Sequence, residues 1–256
     1  VVIAGAGGIW VGLPGELLTK EYGEQPIVRV GEGPVAIAAD GTVATAQDGS
    51  WQSLGGPGVA VTAAFAAPDA VWVGGVDGSV WTFAAGTWTA CAALPDGGDP
   101  AYADIVEIAV TGDAVFVLPG WGGPFHATGA CGEWDDRSTP EPPAYGGFGD
   151  AMSSRQGWTG LVADKDELVV TGWEGVYRSA DAGRTWNYSP TIPTNHTRGL
   201  GWTEAGTVLI GGYAAGVIRT DDAARSFDAP NHGLTASNVQ RVLAAPGDAE
   251  AAWAIS

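Results

Sequence analysis

Short runs of apolar residues recur along the whole chain, and turns rich in glycine and aspartate separate them. Most runs span four to seven residues, which is the usual length of a β-strand. We therefore predict an all-β chain. The predicted strands cover residues 1–4, 8–13, 17–22, 35–39, 42–46, 59–65, 70–73, 79–83, 105–110, 114–118, 124–128, 160–164, 168–171, 176–179, 185–188, 199–203, 208–211, 217–220, 226–228, 239–244 and 251–255.

One stretch of this pattern is duplicated. The sequence Gly-Val-Tyr-Arg-Ser-Ala-Asp-Ala-Gly-Arg-Thr-Trp at 175–186 returns at 216–227 as Gly-Val-Ile-Arg-Thr-Asp-Asp-Ala-Ala-Arg-Ser-Phe, an offset of 41 residues. A fixed period of about 40 residues in a strand-rich chain indicates stacked units of the kind that form the blades of a propeller. We predict a β-propeller of four-stranded blades, about six in number, or about seven if the last two strands begin a further blade.

The duplicated turn reads Ser-x-Asp-x-Gly-x-x-Trp, and it resembles the Asp-box, or BNR repeat, of sialidase-like β-propellers. The residues have the chemistry of a turn fastener: a carboxylate and a hydroxyl accept hydrogen bonds from backbone N–H groups, a glycine takes a positive φ, and an aromatic ring packs beneath the loop. The resemblance implies that the box lies at the blade periphery, away from the ligand face, and has a structural role. Its residues are Ser179, Asp181, Gly183 and Trp186 in the first copy and Thr220, Asp222 and Phe227 in the second.

An aromatic residue closes each predicted unit from the second to the sixth, even where the rest of the motif has decayed. These residues are Trp51, Trp88, Trp134, Trp186 and Phe227. Because a ring of sheets closes on itself to cover its edge strands, we expect residues 1–256 to form a single domain in which C-terminal strands, that at 239–244 above all, pair with the N-terminal blade. The Pro-rich and Gly-rich residues 135–157 are expected to form the longest loop between blades.

Composition narrows the classes of partner and the location. The chain has 29 acidic and 11 basic residues, a net charge of −18, which repels nucleic acid and anionic lipid surfaces. No apolar run approaches the length of a membrane span. Cys91 follows Trp88 by three residues and Cys131 precedes Trp134 by three, so we expect a disulfide between the outer edges of two blades, with two buried free thiols as the alternative. We expect a secreted, periplasmic or cell-surface protein from which any signal sequence has been removed.

The turns between the second and third strands of the predicted blades lie on the face opposite the Asp-box turns. Three successive blades carry an aromatic residue at the glycine-flanked tip of this turn: Trp121, Trp173 and Tyr213. Exposed rings near carboxylates such as Asp77 and Glu174 are typical of surfaces that stack on sugars or bind an apolar peptide. The alternative is that these rings pack between neighbouring blades. Trp158, beside the long loop, is a candidate extension of the same surface.

The sialidase resemblance also implies what an enzyme of this kind requires. It implies an arginine triad that binds a carboxylate, a Tyr nucleophile with a Glu behind it, and an Asp acid/base. Four of the nine arginines, Arg178, Arg184, Arg219 and Arg225, lie in or beside the boxes, and an Arg-Ile-Pro signature is absent, with Arg29-Val30-Gly31 the nearest match. A glycosidase with two catalytic carboxylates stays open, because distances between blades cannot be inferred from the sequence.

No motif predicts a metal or a cofactor. The three histidines show no ligand spacing, and no Gly-rich run leads into Lys-Ser/Thr. The sequence therefore predicts an exported, non-catalytic propeller that binds a glycan or an extracellular protein on the face opposite the Asp-box turns. The alternatives are a glycoside hydrolase acting on extracellular glycans and a structural subunit of an extracellular assembly.

Overall fold

The computed structural model describes residues 2–5, 8–11, 19–22, 27–30, 35–47, 50–95, 103–120, 122–138, 158–172, 175–189, 197–203, 205–222, 224–229, 238–239, 241–244 and 252–255. The regular elements in these ranges are all β-strands. They are β1 Val2–Gly5, β2 Gly8–Val11, β3 Thr19–Tyr22, β4 Ile27–Val30, β5 Val35–Ala38, β6 Val43–Gln47, β7 Ser50–Gly55, β8 Val61–Ala66, β9 Val71–Gly75, β10 Val80–Ala84, β11 Thr87–Ala90, β12 Ile105–Thr111, β13 Ala114–Pro119, β14 Phe125–Thr128, β15 Asp135–Asp136, β16 Trp158–Asp164, β17 Glu167–Gly172, β18 Gly175–Ser179, β19 Asn187–Ser189, β20 Thr197–Trp202, β21 Val208–Gly212, β22 Gly216–Thr220, β23 Arg241–Ala244 and β24 Ala252–Ile255.

The strands of the described ranges form seven antiparallel sheets, each built from strands consecutive in sequence. We number the sheets in chain order. The second to fifth sheets have four strands each, namely β4–β7, β8–β11, β12–β15 and β16–β19. The first sheet is β1–β3, the sixth is β20–β22 and the seventh is β23–β24.

The sheets are arranged as in a β-propeller. The first strand of each sheet lies beside the first strand of the next, from β8 through β12, β16 and β20 to β23. First strands that adjoin in this way surround a central channel, and the later strands of each sheet lead outward. The prediction of an all-β propeller with four-stranded sheets is confirmed.

Within the part of the chain that the structure describes, the hydrophobic core is divided into four clusters, one between each pair of consecutive sheets from the second to the sixth. Between the fourth and fifth sheets, Phe116 and Leu118 pack against Trp158 and Tyr177. Where the third sheet approaches the fourth, a Cβ on Gly74 would lie 2.3 Å from the Cβ of Ile105. Only a glycine at position 74 allows the two sheets to come this close.

Hydroxyl groups near the start of the first strands also join neighbouring sheets. Thr62 donates to the carbonyl oxygen of Ile105 at 2.8 Å, and the hydroxyls of Thr159 and Thr197 are 2.8 Å apart. Thr62 and Thr159 each lie at a register shift in the ladder of their strand. The shift turns the extra residue out of the ladder, so that its side chain reaches the next sheet.

The structure has strands that were not predicted. Ile27–Val30 forms β4, the first strand of the second sheet. Ser50–Gly55 (β7), Thr87–Ala90 (β11) and Asp135–Asp136 (β15) form the fourth strands of their sheets. The predicted loop 135–157 is therefore wrong at its start, because Asp135 and Asp136 pair with β14. At the C-terminal end, β23 pairs with β24, and the ladders of the described residues do not join either strand to β1. The closure of the ring and the number of blades stay predictions.

The disulfide expected from the sequence is present. Cys91 directly follows β11 and Cys131 lies in the turn between β14 and β15, and the two are bonded. The bond therefore joins the outer part of the third sheet to the outer part of the fourth.

Candidate functional site

The loop between β18 and β19 holds the first copy of the duplicated motif, and its own side chains close it. The buried hydroxyl of Ser179 accepts hydrogen bonds from the N–H of Gly183 at 2.8 Å and of Asp181 at 3.2 Å, and it donates to the Asp181 carboxylate at 2.7 Å. The same carboxylate accepts from the N–H and the hydroxyl of Thr185, at 2.8 and 2.7 Å. Gly183 has φ +80°.

The second copy, after β22, has the same network 41 positions later. The hydroxyl of Thr220 accepts from the N–H of Ala224 at 2.9 Å and donates to Asp222 at 3.0 Å. The carboxylate of Asp222 accepts from the N–H and the hydroxyl of Ser226, at 2.9 and 2.6 Å. The glycine position differs in kind, because Ala224 stands where the first copy has Gly183, and its φ is +66°.

These hydrogen bonds hold both carboxylates in the ionised form. The hydroxyl of Thr185 is the main cause that lowers the pKa of Asp181 to about 2. The hydroxyl of Ser226 does the same for Asp222, whose pKa is also lowered to about 2. An acid that has already lost its proton well below neutral pH is a poor general acid. The chemistry of the two loops is that of hydrogen-bond acceptors.

The residue three positions before each closing aromatic has a left-handed backbone in four sheets. These residues are Ala85 at φ +49°, Cys131 at +59°, Gly183 at +80° and Ala224 at +66°. In two of these sheets, this residue approaches a residue of the preceding sheet. The residue approached lies three positions after the closing tryptophan of that preceding sheet. Cys131 is bonded to Cys91, and a Cβ on Gly183 would lie 3.0 Å from the Cβ of Arg137. The repeat thus places one loop residue against the preceding sheet at a fixed position.

The closing tryptophans make a second repeated contact with the preceding sheet, through the indole N–H. Trp88 donates to the carbonyl oxygen of Leu54 at 3.0 Å, and Trp134 donates to that of Ala92 at 2.9 Å. Trp186 donates to the carbonyl oxygen of Arg137, also at 2.9 Å. Each acceptor follows the closing tryptophan of its own sheet by three or four residues. Sequence reasoning assigned these rings to packing beneath a loop and missed the bond between sheets.

The turns between second and third strands lie on the opposite face. Two large hydrophobic side chains of the described residues are exposed, Val76 at 53% and Tyr213 at 52%, and both belong to these turns. The Val76 turn is fixed, because the N–H of Val76 donates to the carbonyl of Ala60 at 2.9 Å. Next to it, Asp77 accepts from the hydroxyl of Ser79 at 2.6 Å, and this bond lowers the pKa of the Asp77 carboxyl.

The other candidates for this face divide into two groups. Trp121, Trp173 and Glu174 lie outside the described residues. Trp158 does not extend the surface, because it is buried to 5% exposure and its indole N–H donates to the carbonyl of Gly122 at 2.9 Å. It is the first residue of β16, where the side chain is enclosed between the fourth and fifth sheets.

Six of the nine arginines fall into an outer and an inner group. In the outer group, Arg178 pairs with Glu167 at 3.0 Å and Arg137 with Asp135 at 3.1 Å, and Arg219 also pairs with Asp221. The inner group is Arg29, Arg198 and Arg241, which lie in β4, β20 and β23. These strands are the first of their sheets, and the sequence alone did not show that three arginines share this position.

Two kinds of feature are absent from the described ranges. These ranges hold no group of three or more His, Cys, Asp or Glu side chains suited to a metal ion. A helix long and apolar enough to cross a membrane is also absent from them.

Solved structures with the same architecture were found, whereas protein-family models and curated protein sequences gave no match. The chain is similar to the WD40 β-propeller domain of Doa1, with a TM-score of 0.62 and 11% identity over 94% of this chain and 81% of that chain. It is similar to the extracellular domain of BT4673 from B. thetaiotaomicron, with a TM-score of 0.63 and 12% identity over 94% of this chain and 34% of that chain. It is also similar to an ancestral GH74 enzyme, with a TM-score of 0.57 and 17% identity over 86% of this chain and 34% of that chain. This chain thus spans about a third of the length of the last two proteins.

Proposed function

We propose that this chain is an exported, non-catalytic β-propeller of the Asp-box type that binds a glycan or a protein partner on the face opposite its box turns. The observation that carries the proposal is the position of Val76 and Tyr213, the large hydrophobic side chains that are exposed in the described ranges. Both lie on this one face. Apolar side chains held in water at the tips of turns are typical of interaction surfaces when they share a face.

The box turns on the other face have a structural role, and this supports the proposal. In both box loops, hydroxyl and carboxylate oxygens accept bonds from backbone N–H groups of the same loop. Groups engaged in this way hold a turn closed and have little capacity left for a ligand. We infer that the box residues are structural and that partner binding is assigned to the other end of the sheets.

Export is supported by the Cys91–Cys131 disulfide. Disulfides persist in oxidising compartments and are rare where glutathione and thioredoxin keep thiols reduced. The fold shared with the extracellular domain of BT4673 is in keeping with this location.

The aromatic residues of this face favour an extended partner. Trp121, Trp173 and Tyr213 belong to the same turn of the fourth, fifth and sixth sheets, which follow one another around the channel. We propose that they form an arc at its rim, with Glu174 and Asp77 as acceptors for hydroxyl or N–H groups of the partner. An oligosaccharide or an extended peptide would contact several turns of such an arc.

Alanine substitution at Trp173 and at Tyr213 tests the proposal on a partner found by a glycan array and by capture from an extracellular extract. Each variant should lose about 1–3 kcal/mol of binding free energy and keep the melting temperature, because an exposed ring contributes little to the core. Arg225→Ala, an exposed position in a box loop, is the matched control and should bind normally. A fall of several degrees in melting temperature for Trp173→Ala would instead assign this ring to packing.

A second candidate is a glycoside hydrolase whose channel binds a carboxylate. It is favoured by the placement of Arg29, Arg198 and Arg241 on first strands, since the sialidase resemblance implies an arginine triad. Incubation with sialosides and aryl glycosides tests it. Release of sugar that is lost in Arg198→Ala would replace the non-catalytic proposal, and binding without hydrolysis would retain it.

A further inference from the structure

A groove open to solvent lies between the second and third sheets, at the box-turn end. Its volume is about 650 Å³. The residues that matter for its chemistry are Gln52, Ser53, Leu54, Asp69, Ala84 and Ala85. We propose that this groove binds a loop of a partner polypeptide, in the way that the chain's own loops fill the equivalent junctions between later sheets. The site is distinct from the surface of the proposed function, and it does not depend on that function.

The equivalence of the junctions follows from the repeated positions. Ala85 lies three residues before Trp88 and has φ +49°, as Cys131 and Gly183 have positive φ three residues before their closing tryptophans. Leu54 lies three residues after Trp51, as Cys91 and Arg137 follow theirs. In the later junctions the two residues are bonded or in close approach. Between the second and third sheets, both line the groove instead.

The groove is open because the third sheet has a short turn. Ala85 and Gly86 alone connect β10 to β11, whereas six residues separate Ser179 from Trp186 in the first box. A two-residue hairpin turns directly back along the sheet. It cannot extend over the preceding sheet as the box loop does.

The groove also offers a hydrogen-bond acceptor that is occupied in other sheets. In the fourth sheet, Asp113 accepts a bond on its carbonyl oxygen from the N–H of Gly129 at 2.7 Å. In the fifth, the carbonyl of Asp166 accepts from the N–H of Ala182 at 2.8 Å. Asp69 holds the equivalent place in the turn between β8 and β9, and no backbone N–H of the described residues donates to its carbonyl outside the strand ladders. The partner would supply this donor.

The chemistry of the occupant follows from these features. It presents a backbone N–H to the Asp69 carbonyl and a small side chain to the floor, because the box loops bury small side chains such as Ala182 and Ala224, at 7% and 6% exposure. The Asp69 carboxylate and the net charge of −18 favour a loop with basic residues. The lining is rich in alanine, and its one aromatic ring, Phe83, packs against Trp88 with a centroid distance of 5.1 Å. A wall of this kind suits a polypeptide loop better than a sugar ring.

The first box loop of this chain is itself a suitable probe. A cyclised peptide with the sequence of residues 177–188, Tyr-Arg-Ser-Ala-Asp-Ala-Gly-Arg-Thr-Trp-Asn-Tyr, is titrated into the ¹⁵N-labelled protein. We expect amide shifts at Gln52, Asp69 and Ala85, and none with a scrambled cyclic peptide. Ala84→Trp, which fills the groove from an exposed position, should weaken binding at least tenfold. Thr89→Trp, exposed on β11 and outside the groove, is the matched control and should leave binding unchanged.

A graft provides the second measurement. Replacing residues 85–87 with the loop 180–185 should close the groove and abolish peptide binding while the protein stays folded. An absence of amide shifts at millimolar peptide would overturn the proposal, as would shifts confined to other residues or equal binding by Ala84→Trp. Self-association of the wild type that Ala84→Trp abolishes in sedimentation runs would also overturn it, because the occupant would then be a second copy. Binding of an oligosaccharide in the groove, with no binding of the peptide, would also overturn the proposal.

Discussion

The indole N–H of Trp134 donates a 2.9 Å hydrogen bond to the carbonyl oxygen of Ala92, and this bond connects the fourth sheet to the third. The same relation holds between Trp88 and Leu54 and between Trp186 and Arg137. A buried ring whose polar atom is satisfied by the neighbouring sheet contributes both apolar burial and orientation. The closing tryptophan therefore fixes how one sheet sits on the next.

Trp134→Phe should show what this bond contributes. The variant keeps an aromatic ring but removes the donor and part of the volume, so the Ala92 carbonyl loses its partner and a small cavity forms. We expect a loss of about 1–3 kcal/mol in the free energy of unfolding, measured by urea denaturation. An unchanged midpoint of urea denaturation would show that the hydrogen bond does not contribute to stability.

The Cys91–Cys131 disulfide should stabilise the same junction. It closes a segment with a sequence separation of 40, and the loss of a native disulfide of this kind costs roughly 2–5 kcal/mol. The Cys91→Ser/Cys131→Ser variant should therefore unfold at lower urea concentration. Combined with Trp134→Phe, its effect should deviate from additivity by more than about 0.5 kcal/mol, because both changes loosen one contact. Mass spectrometry under non-reducing conditions should find no free thiol in the wild type.

The two box copies allow a reciprocal test of backbone strain. Ala224 has φ +66° where the first copy has Gly183 at +80°, and a left-handed backbone is unfavourable for alanine. Ala224→Gly should raise the free energy of unfolding by about 0.5–1 kcal/mol. Gly183→Ala should lower it by more than this amount, because the new Cβ would also lie 3.0 Å from that of Arg137. Equal effects of the same sign would contradict this account.

Stability should fall in acid over a defined range. The pKa of Asp181 and of Asp222 is lowered from 3.8 to about 2, first of all by hydroxyl hydrogen bonds from Thr185 and Ser226. Between these values the unfolded chain takes up protons that the folded chain does not, so the stabilisation is complete above pH 3.8 and is lost as the pH falls toward 2. The Asp181→Asn/Asp222→Asn variant should be less stable at neutral pH and should show a flatter dependence in this range. Thermal melts from pH 6 downward measure both effects.

His126 should also make the stability depend on pH, in a pH range separate from that of the two aspartates. Burial is the main cause that lowers its pKa below 6.5, so the unfolded chain is protonated first as the pH falls from there. The His126→Gln variant lacks this contribution, so the difference between its thermal melts and those of the wild type measures it. A wild-type profile that is flat down to pH 4 would contradict it.

The sequence was sufficient for the architecture because the repeat survives where it forms secondary structure. The 41-residue offset and the closing aromatics identified the strands of the fifth sheet and the three described strands of the sixth. The predicted strand at 226–228 was wrong, because these residues contribute only an isolated bridge between Arg219 and Asp228. The strand Ile27–Val30 was missed because it is four residues long, carries a charged residue and has no box after it to mark its place. Local pattern is weakest for such short strands, whose stability comes from neighbouring sheets.

The contacts between sheets were harder to predict. The pattern along the chain predicts the side of its own sheet on which Trp134 lies. It does not predict the position of Ala92, which belongs to the preceding sheet. The spacing does contain a usable signal, since each acceptor follows a closing tryptophan by three or four residues. Trp158 shows the converse limit, because a tryptophan beside a loop is a candidate for the surface in the sequence, whereas in the structure it begins a strand and is buried between two sheets.

The direction of the indole bonds has a consequence for synthesis. Each tryptophan donates to a carbonyl earlier in the chain, from Trp88 to Leu54 through Trp186 to Arg137. As a polypeptide leaves the ribosome from its N-terminal end, every acceptor is available before its donor emerges. Each of these sheets can therefore attach to a finished one, and growth can pause after Trp88, Trp134 or Trp186 without leaving an indole N–H that waits for a residue not yet made.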